Sequence, residues 1–373
     1  MNAETSNPLA RIRRDVQGMH AYAVQDSAGL LKLDAMENPH RLPPALQAEL
    51  GQRLGAVAIN RYPGARIDEL KAALHAYAAP PAGWSLMLGN GSDELISLLA
   101  LACDMPPSAA SDHQPASILA PLPGFVMYAM SAQLQGLAFH GVPLTADFQL
   151  DEAAMLAAIA QHRPALLYLA YPNNPTGTLW DEGVIERLVA AQGAAGGLVV
   201  LDEAYQPFAA RSWIDNARRA PERHRHVLVM RTLSKFGLAG VRIGYLLGDA
   251  ALIAELDKVR PPYNVSVLNA ECALFALEHA DLFAAQAADI RAQRARLIDA
   301  LGRLPGVTPF PSEGNMILVR VPDAARVFDG MRARGVLIKN VSRMHPLLDQ
   351  CVRLTVGTAD DNTQMLAALQ ASL

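Results

Sequence analysis

The sequence has few of the residues that would connect it to a nucleic acid or to a disulfide-stabilised fold. Its 373 residues carry 32 Lys and Arg against 36 Asp and Glu, so the net charge of -4 offers no basic surplus for a polyanion. The 3 cysteines, Cys103, Cys272 and Cys351, lie far apart and form neither an even disulfide set nor a metal-ligand spacing. We therefore expect no nucleic-acid partner and no bound metal, and free thiols in a reducing compartment.

Charged side chains are missing altogether from residues 114–146, as they would be from a membrane span. Pro121, Pro123 and Gly124 interrupt this stretch and Gln135 adds a polar group, so it predicts buried strands and turns instead. No apolar core follows the arginines near the N-terminus, which argues against a secretory leader. We expect no membrane partner and a cytoplasmic protein.

The sequence is rich in apolar residues, with 51% hydrophobic and only 18% charged side chains, which is typical of an enzyme with a large core. Apolar runs of strand length alternate with helical patterns. The predicted strands are residues 86–88, 117–120, 137–142, 165–170, 198–201, 227–230 and 243–247. The predicted helices are residues 44–54, 66–77, 93–102, 125–135, 152–161 and 181–192. Strands that are apolar throughout and separated by helices favour a mostly parallel sheet covered on both faces.

The pattern changes after two consecutive prolines at 261 and 262. A long alanine-rich helical segment over residues 266–304 is followed by shorter elements. These are strands near residues 316–321 and 352–356, and helices near residues 324–334 and 361–373. The sequence thus predicts an α/β fold with two parts: a large domain over residues 45–262, and a smaller α+β domain made of residues 263–373 with an N-terminal arm, residues 1–44.

One lysine has unusual surroundings. Lys235 follows the apolar run of residues 227–230 and lies among small and apolar residues in Thr-Leu-Ser-Lys-Phe-Gly-Leu-Ala-Gly-Val-Arg-Ile-Gly-Tyr, residues 232–245. Most lysines are solvated surface charges, but these flanks favour a mostly buried site in which the pKa of the ammonium falls. A buried, deprotonated lysine can form a Schiff base.

A carboxylate comes directly after the buried strand of residues 198–201. Asp202 is therefore expected at the carboxyl end of that strand, where open α/β sheets bind ligands. A helix N-cap explains Asp202 equally well. Tyr205, three residues later, fits either a ligand contact or an ordinary half-buried tyrosine.

Two loops add polar groups. Asn174 lies in the turn Tyr-Pro-Asn-Asn-Pro-Thr-Gly, residues 171–177, which its prolines and glycine already explain. In Gly-Asn-Gly-Ser-Asp-Glu, residues 89–94, glycines precede a helix and predict an anion site at its N-terminus. A plain N-cap at Ser92 or Asp93 is the alternative.

Taken together and in order, these motifs resemble the fold-type I pyridoxal phosphate aminotransferases. The strongest element is Ser-Lys followed by Gly-Leu-Ala-Gly-x-Arg-x-Gly-Tyr, which resembles the cofactor-lysine motif of that family. The resemblance implies pyridoxal 5'-phosphate as the cofactor, with Lys235 as the Schiff-base and proton-transfer residue. It implies that Asp202 faces the pyridine nitrogen, and that Tyr205 and Asn174 face the ring oxygen.

The resemblance also implies the remaining cofactor contacts. Phe125 matches the aromatic residue that stacks on the pyridine ring, and Tyr62 matches a tyrosine that reaches the cofactor phosphate of the neighbouring subunit. A homodimer with shared active sites follows. The expected phosphate contacts within one chain are Gly91, Ser92, Asp93, Ser234 and Arg242.

Within the family, three stretches resemble the histidinol-phosphate aminotransferases: Met-Glu-Asn-Pro at residues 36–39, Asn-Arg-Tyr-Pro at residues 60–63, and the strand that ends at Arg320. The implied reaction transfers an amino group between L-histidinol phosphate and 2-oxoglutarate in histidine biosynthesis. The implied substrate contacts are Tyr22, Asn38, Arg320 and Arg353. A surface position for either arginine is the alternative that composition favours.

Other activities of the same fold stay open from the sequence. An aromatic amino acid aminotransferase and a threonine-phosphate decarboxylase share the cofactor motifs. A nicotinamide-dependent oxidoreductase would explain the α/β pattern, but the Gly-x-Gly of residues 89–91 is not followed by the third glycine of a dinucleotide fingerprint.

Overall fold

The computed structural model describes residues 8–19, 25–103 and 116–373. Its strands, in chain order, are β1 Leu31–Lys32, β2 Trp84–Gly89, β3 Ser117–Leu122, β4 Ala138–Pro143, β5 Leu166–Ala170, β6 Leu198–Asp202, β7 Val227–Thr232, β8 Gly244–Asp249, β9 Thr308–Pro309, β10 Met316–Arg320, β11 Val336–Leu337, β12 Lys339–Asn340 and β13 Cys351–Thr355. Its helices are α1 Arg14–Gln17, α2 Pro44–Ala56, α3 Arg66–Ala78, α4 Ser92–Cys103, α5 Val126–Gln135, α6 Glu152–His162, α7 Glu182–Ala194, α8 Ile214–Arg219, α9 Ala250–Leu256, α10 Val267–Glu278, α11 Ala280–Leu301, α12 Ala324–Ala333 and α13 Ala359–Gln370.

The larger sheet has seven strands in the order β2-β8-β7-β6-β5-β3-β4. Only β8 runs against its neighbours, so the sheet is mostly parallel. The strands β5 and β7 are buried at every position, because helices cover both faces. Their side chains are apolar except for Arg231 and Thr232 at the end of β7. The predicted α/β fold is confirmed.

The stretch without charged residues contributes β3, α5 and β4 to this large unit. Leu119 and Tyr128 lie in its core, and their burial accounts for the lack of charge. Across the part of the chain that the structure describes, no helix is both long and apolar enough to cross a membrane.

The smaller unit is built on a second sheet in the order β12-β13-β10-β9, which is antiparallel throughout. One face of this sheet packs against α11, α12 and α13 around buried residues such as Val319, Val352 and Met365. The N-terminal segment joins this unit, because β1 pairs in parallel with β11.

The predicted helix over residues 266–304 is two helices, which corrects the sequence prediction. His279 separates α10 from α11 with a non-helical backbone, φ -108° and ψ 30°. The break lets the chain pass between cores: Ala270 and Phe283 lie in the large-unit core, whereas Ala287 and Ile290 lie in the core of the smaller unit. The predicted domain division at residue 262 thus falls before a helix that still packs on the large unit.

Candidate active site

The carboxyl ends of β5, β6 and β7 meet at one edge of the large sheet, because these strands are parallel neighbours. A cavity of about 120 Å³ lies there, between the two units. It is lined by Met36, Ser92, Asp93, Phe125, Tyr128, Ala170, Pro172, Asn174, Asp202, Ala204, Tyr205, Thr232, Ser234, Lys235 and Arg242. The sequence predicted nine of these residues as site residues.

Lys235 extends into this cavity from a π-helical turn, Ser234–Leu238, that follows β7. Its Nζ donates a hydrogen bond to the carbonyl oxygen of Ala35, at 2.9 Å, and lies 5.8 Å from the centre of the Tyr205 ring. Burial, with a further contribution from the positive charge of Arg353, lowers the pKa of Lys235 to about 8. The neutral amine is therefore available near physiological pH, as the sequence predicted for a nucleophilic lysine.

Asp202 is the last residue of β6 and is almost fully buried. Its Oδ2 accepts a hydrogen bond from the hydroxyl of Tyr128, at 2.6 Å, and its Oδ1 accepts one from the N–H of Ala204, at 3.0 Å. Burial raises the pKa of Asp202 to about 6, although both hydrogen bonds act in the opposite direction. A buried carboxylate of this kind is suited to a positively charged partner.

A second group of polar atoms lies at the N-terminus of α4. Arg242 donates from Nη1 to the hydroxyl of Ser234, at 3.2 Å, and from Nη2 to Asp93, at 3.1 Å. Gly91 has φ 81°, which is strained for other residues, and a Cβ built there would lie 2.6 Å from Nη2 of Arg242, so a larger residue would displace the guanidinium. A guanidinium beside free backbone N–H groups at a helix N-terminus is suited to a phosphate.

Arg353, on β13, lies beside the cavity. It donates from Nη1 to Oδ1 of Asn174, at 2.6 Å, and from Nη2 to the carbonyl oxygen of Asp34, at 2.8 Å. Asp34 directly precedes Ala35, the acceptor for Lys235, so two consecutive carbonyl groups hold two cations. The segment of residues 34–36 thus fixes Arg353 and Lys235 with respect to each other.

The sequence profile of the family described as aminotransferase class I and II matches residues 28–369, which is most of the chain. The chain belongs to this family. The predicted aminotransferase activity and fold type are thereby confirmed.

Several relatives of this aminotransferase are known along its full length. A curated histidinol-phosphate aminotransferase from Acidovorax sp. (strain JS42) is 69% identical over 366 residues, covering 98% of this chain and 97% of the relative. One from Methylibium petroleiphilum is 69% identical, covering 98% of this chain and 95% of the relative. Among solved structures, the histidinol-phosphate aminotransferase from Sinorhizobium meliloti in complex with pyridoxal-5'-phosphate has a TM-score of 0.81 at 25% identity, and 97% of each chain is covered.

Two predicted substrate residues of this aminotransferase do not reach the cavity. Arg320, at the end of β10, is exposed, and its guanidinium donates to the carbonyl oxygens of Leu347 and Asp349. Asn38 donates its amide to Phe236 and Gln286, which ties the N-terminal segment to the lysine turn. Both side chains make contacts away from the cavity, and their substrate roles stay predictions.

Two predicted tyrosines are not among the residues that line the cavity within one chain. Tyr62 is 76% exposed and stacks on Tyr263, with ring centres 4.2 Å apart, so its expected role across a subunit boundary stays a prediction. Tyr22 lies outside the described residues.

The sequence prediction did not include six of the residues that line the cavity: Met36, Tyr128, Ala170, Pro172, Ala204 and Thr232. Tyr128, on α5, lies three residues after Phe125, the N-cap of that helix, and this spacing offered a usable signal. Lys339, on β12, is the direct cross-strand partner of Arg353, so both side chains project from the same face of the smaller sheet. No sequence signal showed this pairing, because strand register is set by contacts across the fold.

Proposed function

We propose that this protein is a pyridoxal-phosphate-dependent histidinol-phosphate aminotransferase. It exchanges an amino group between L-histidinol phosphate and 2-oxoglutarate, giving imidazole acetol phosphate and glutamate in histidine biosynthesis. The observation that carries the proposal is that Lys235, whose pKa is lowered, lines the same cavity as the buried carboxylate of Asp202 and the guanidinium of Arg242. Arg353 lies beside this cavity and has Lys339 as its cross-strand partner. Full-length identity of 69% to relatives of that name supports the substrate.

The residues of the cavity fit pyridoxal phosphate at each of its functional groups. Asp202 offers a buried carboxylate to a protonated pyridine nitrogen, and the N-terminus of α4 with Arg242 offers donors to the phosphate. Phe125, beside Tyr128 in the wall of the cavity, provides an aromatic face for the ring. When bound, this cofactor supplies a pyridine ring that withdraws electrons from the reacting carbon of the substrate.

Lys235 has two tasks in this proposal. As a neutral amine it holds the cofactor, and once released by the amino donor it moves a proton to and from the substrate carbon. Its lowered pKa places it near the operating pH, where an amine exchanges protons most efficiently. Asp202 keeps the pyridine nitrogen protonated, and Tyr128 and Ala204 hold that carboxylate in place.

Two cations on the smaller sheet bind the anionic end of the substrate. Arg353 and Lys339 are cross-strand neighbours whose side chains leave the sheet on the same face, about 5 Å apart at their Cβ atoms by ordinary strand geometry. Among the described residues, no Asp or Glu forms an ion pair with Lys339. We assign to this pair the phosphate dianion of the proposed donor and a carboxylate of glutamate, and Lys339 replaces Arg320 as the second substrate cation.

The proposal includes a homodimer and a cytoplasmic location. The large apolar side chains of Ile59, Tyr62, Tyr263 and Leu268 are exposed. Ile59 lies close to Tyr62 in the sequence, and the ring of Tyr62 stacks on that of Tyr263. Exposed apolar patches of this kind commonly mark subunit interfaces. The proposed partner is a second copy of the chain, which brings its Tyr62 to the phosphate end of the cavity.

The proposal is tested by product analysis with purified protein, pyridoxal phosphate, L-histidinol phosphate and 2-oxoglutarate. We expect glutamate and a phosphorylated ketone in equal amounts. The variant Lys235→Ala should lose about a thousandfold or more of the rate. The control Lys258→Ala removes an exposed lysine that pairs with Glu255 and should keep the full rate.

The same assay separates the alternatives of the same fold. Release of CO2 from O-phosphothreonine, without glutamate formation, would identify a decarboxylase. Faster turnover of phenylalanine than of histidinol phosphate would identify an aromatic aminotransferase. Either result would remove the proposed substrate and leave the role of Lys235 intact.

A further inference from the structure

Met36 has a backbone conformation that residues other than glycine rarely adopt. Its φ is 52°, in the left-handed region that favours glycine and asparagine. Its side chain is nevertheless 7% exposed and lines the cavity. Strained residues of this kind persist when the surrounding structure fixes them, and they cluster at functional sites.

The smaller unit fixes this conformation from both sides. The N–H of Met36 donates to the hydroxyl of Thr355, at 3.0 Å, and its carbonyl oxygen accepts from Nδ2 of Asn315, at 2.9 Å. Asn315 and Thr355 are themselves buried on the two central strands or next to them. The direction of the Met36 side chain is therefore set by the sheet that carries Arg353.

The two residues before Met36 contact groups that are proposed to act on the substrate. Asp34 and Ala35 directly precede it and accept from Arg353 and Lys235, so Met36 lies beside the groups that bind and convert the substrate. Most of the residues that line the cavity carry polar or charged side chains, such as Asn174 and Lys235. Met36 is an apolar wall among them.

We propose that Met36 determines the preference of this aminotransferase for a ring-bearing amino donor over glutamate. The inference rests on the proposed function and names the residue that sets its substrate choice. A thioether packs well against an aromatic ring, and it offers no hydrogen bond to the side-chain carboxylate of glutamate. Removing this wall lowers the rate with the ring-bearing donor and affects glutamate less.

The test compares kcat/KM for histidinol phosphate, phenylalanine and glutamate in the wild type and in variants. Met36→Asn and Met36→Gly remove the apolar wall and adopt the left-handed backbone readily. We expect kcat/KM for the preferred ring-bearing donor to fall about tenfold or more in both, and kcat/KM for glutamate to fall about threefold or less. Met36→Leu keeps an apolar wall and should keep most of the preference.

The control is Met316→Leu, which changes another methionine of the same apolar cluster, one that does not line the cavity. It should leave the ratio of the two kcat/KM values unchanged. Binding of pyridoxal phosphate and the melting temperature show that each variant is folded. Equal losses for both classes of donor in Met36→Asn and Met36→Gly, or no loss, would overturn the inference.

The two failures are distinguishable. If the wild type prefers phenylalanine to histidinol phosphate, the proposed function fails, and the ratio of phenylalanine to glutamate still tests Met36. If the wild type uses no ring-bearing donor, both proposals fail.

Discussion

At the scale of single residues, the charged groups of the cavity are held by partners from distant parts of the chain. Lys235 is bonded to Ala35, Asp202 to Tyr128, and Arg353 to Asn174. Each of these bonds fixes a reactive or anion-binding group before any ligand arrives, which reduces the reorganisation needed during the reaction. The sequence predicted the reactive group in each pair, because each follows an apolar strand or sits in a recognisable motif. It did not predict that these groups would be partners, because each bond joins segments that are far apart in the sequence.

The lowered pKa of Lys235 predicts how cofactor uptake depends on pH. The folded protein loses the proton of Lys235 near pH 8, below the ordinary value of 10.5, so the neutral amine becomes dominant above pH 8. Protein stripped of cofactor should therefore take up pyridoxal phosphate slowly at low pH and faster as pH rises, with a midpoint near 8. Stopped-flow absorbance of the lysine-bound cofactor measures this rate. A midpoint close to 10.5 would show that Lys235 behaves as a solvated lysine.

At the scale of structural elements, the ends of β6 and β7 are locked together beside the cavity. Glu203, the residue after β6, pairs with Arg231 on β7 at 2.9 Å, and both side chains are at most 7% exposed. Glu203 also accepts from the N–H of Trp213 and the hydroxyl of Ser212. These contacts hold the strand ends that carry Asp202 and lead to Lys235.

Breaking this pair should destabilise the protein strongly. In Glu203→Gln the guanidinium of Arg231 stays buried without a carboxylate, which costs about 3–5 kcal/mol of unfolding free energy. The matched control is Glu152→Gln, which breaks the exposed pair with Arg187 and should cost less than about 1 kcal/mol. Denaturant unfolding of both variants measures the difference. Similar small losses in the two variants would contradict the structural role of the Glu203–Arg231 pair.

The predictability of the elements follows their length and burial. Central strands such as β5 and β7 were predicted within two residues of their observed ends, because they are apolar on both faces. The two-residue strands β1, β9, β11 and β12 were missed, since their pairing depends on register and not on local pattern. The break at His279 was missed because alanine-rich sequence on both sides favours helix continuously.

At the scale of the whole molecule, the site is assembled from two units and, in our proposal, from two subunits. Arg353 and Lys339 come from the smaller sheet, whereas Asp202 and Lys235 come from the larger one. The sequence placed Arg320 at the substrate because a motif resembled an anion-binding strand. In our proposal Lys339 takes this place, because the observed register puts it opposite Arg353.

Shared active sites predict complementation between two inactive variants. Tyr62→Ala removes the residue that is proposed to cross the interface, and Lys235→Ala removes the reactive amine. In a mixed dimer, the Tyr62→Ala chain contributes its Lys235 to a site that the other chain completes with Tyr62. We expect activity to rise after the two proteins are unfolded together and refolded, compared with each refolded alone. If mass spectrometry shows that mixed dimers have formed and the activity does not rise, Tyr62 does not contribute to the active site of the partner subunit.

The most direct test of the whole account is a single half-reaction. L-histidinol phosphate is added without an acceptor to protein loaded with pyridoxal phosphate, and the absorbance spectrum and products are recorded. We predict loss of the visible band of the lysine-bound cofactor, formation of one phosphorylated ketone per site, and return of the band when 2-oxoglutarate is added. An unchanged band with histidinol phosphate, in protein whose cofactor is converted by another amino acid, would contradict the proposed substrate. No visible band after adding pyridoxal phosphate would contradict the central role of Lys235.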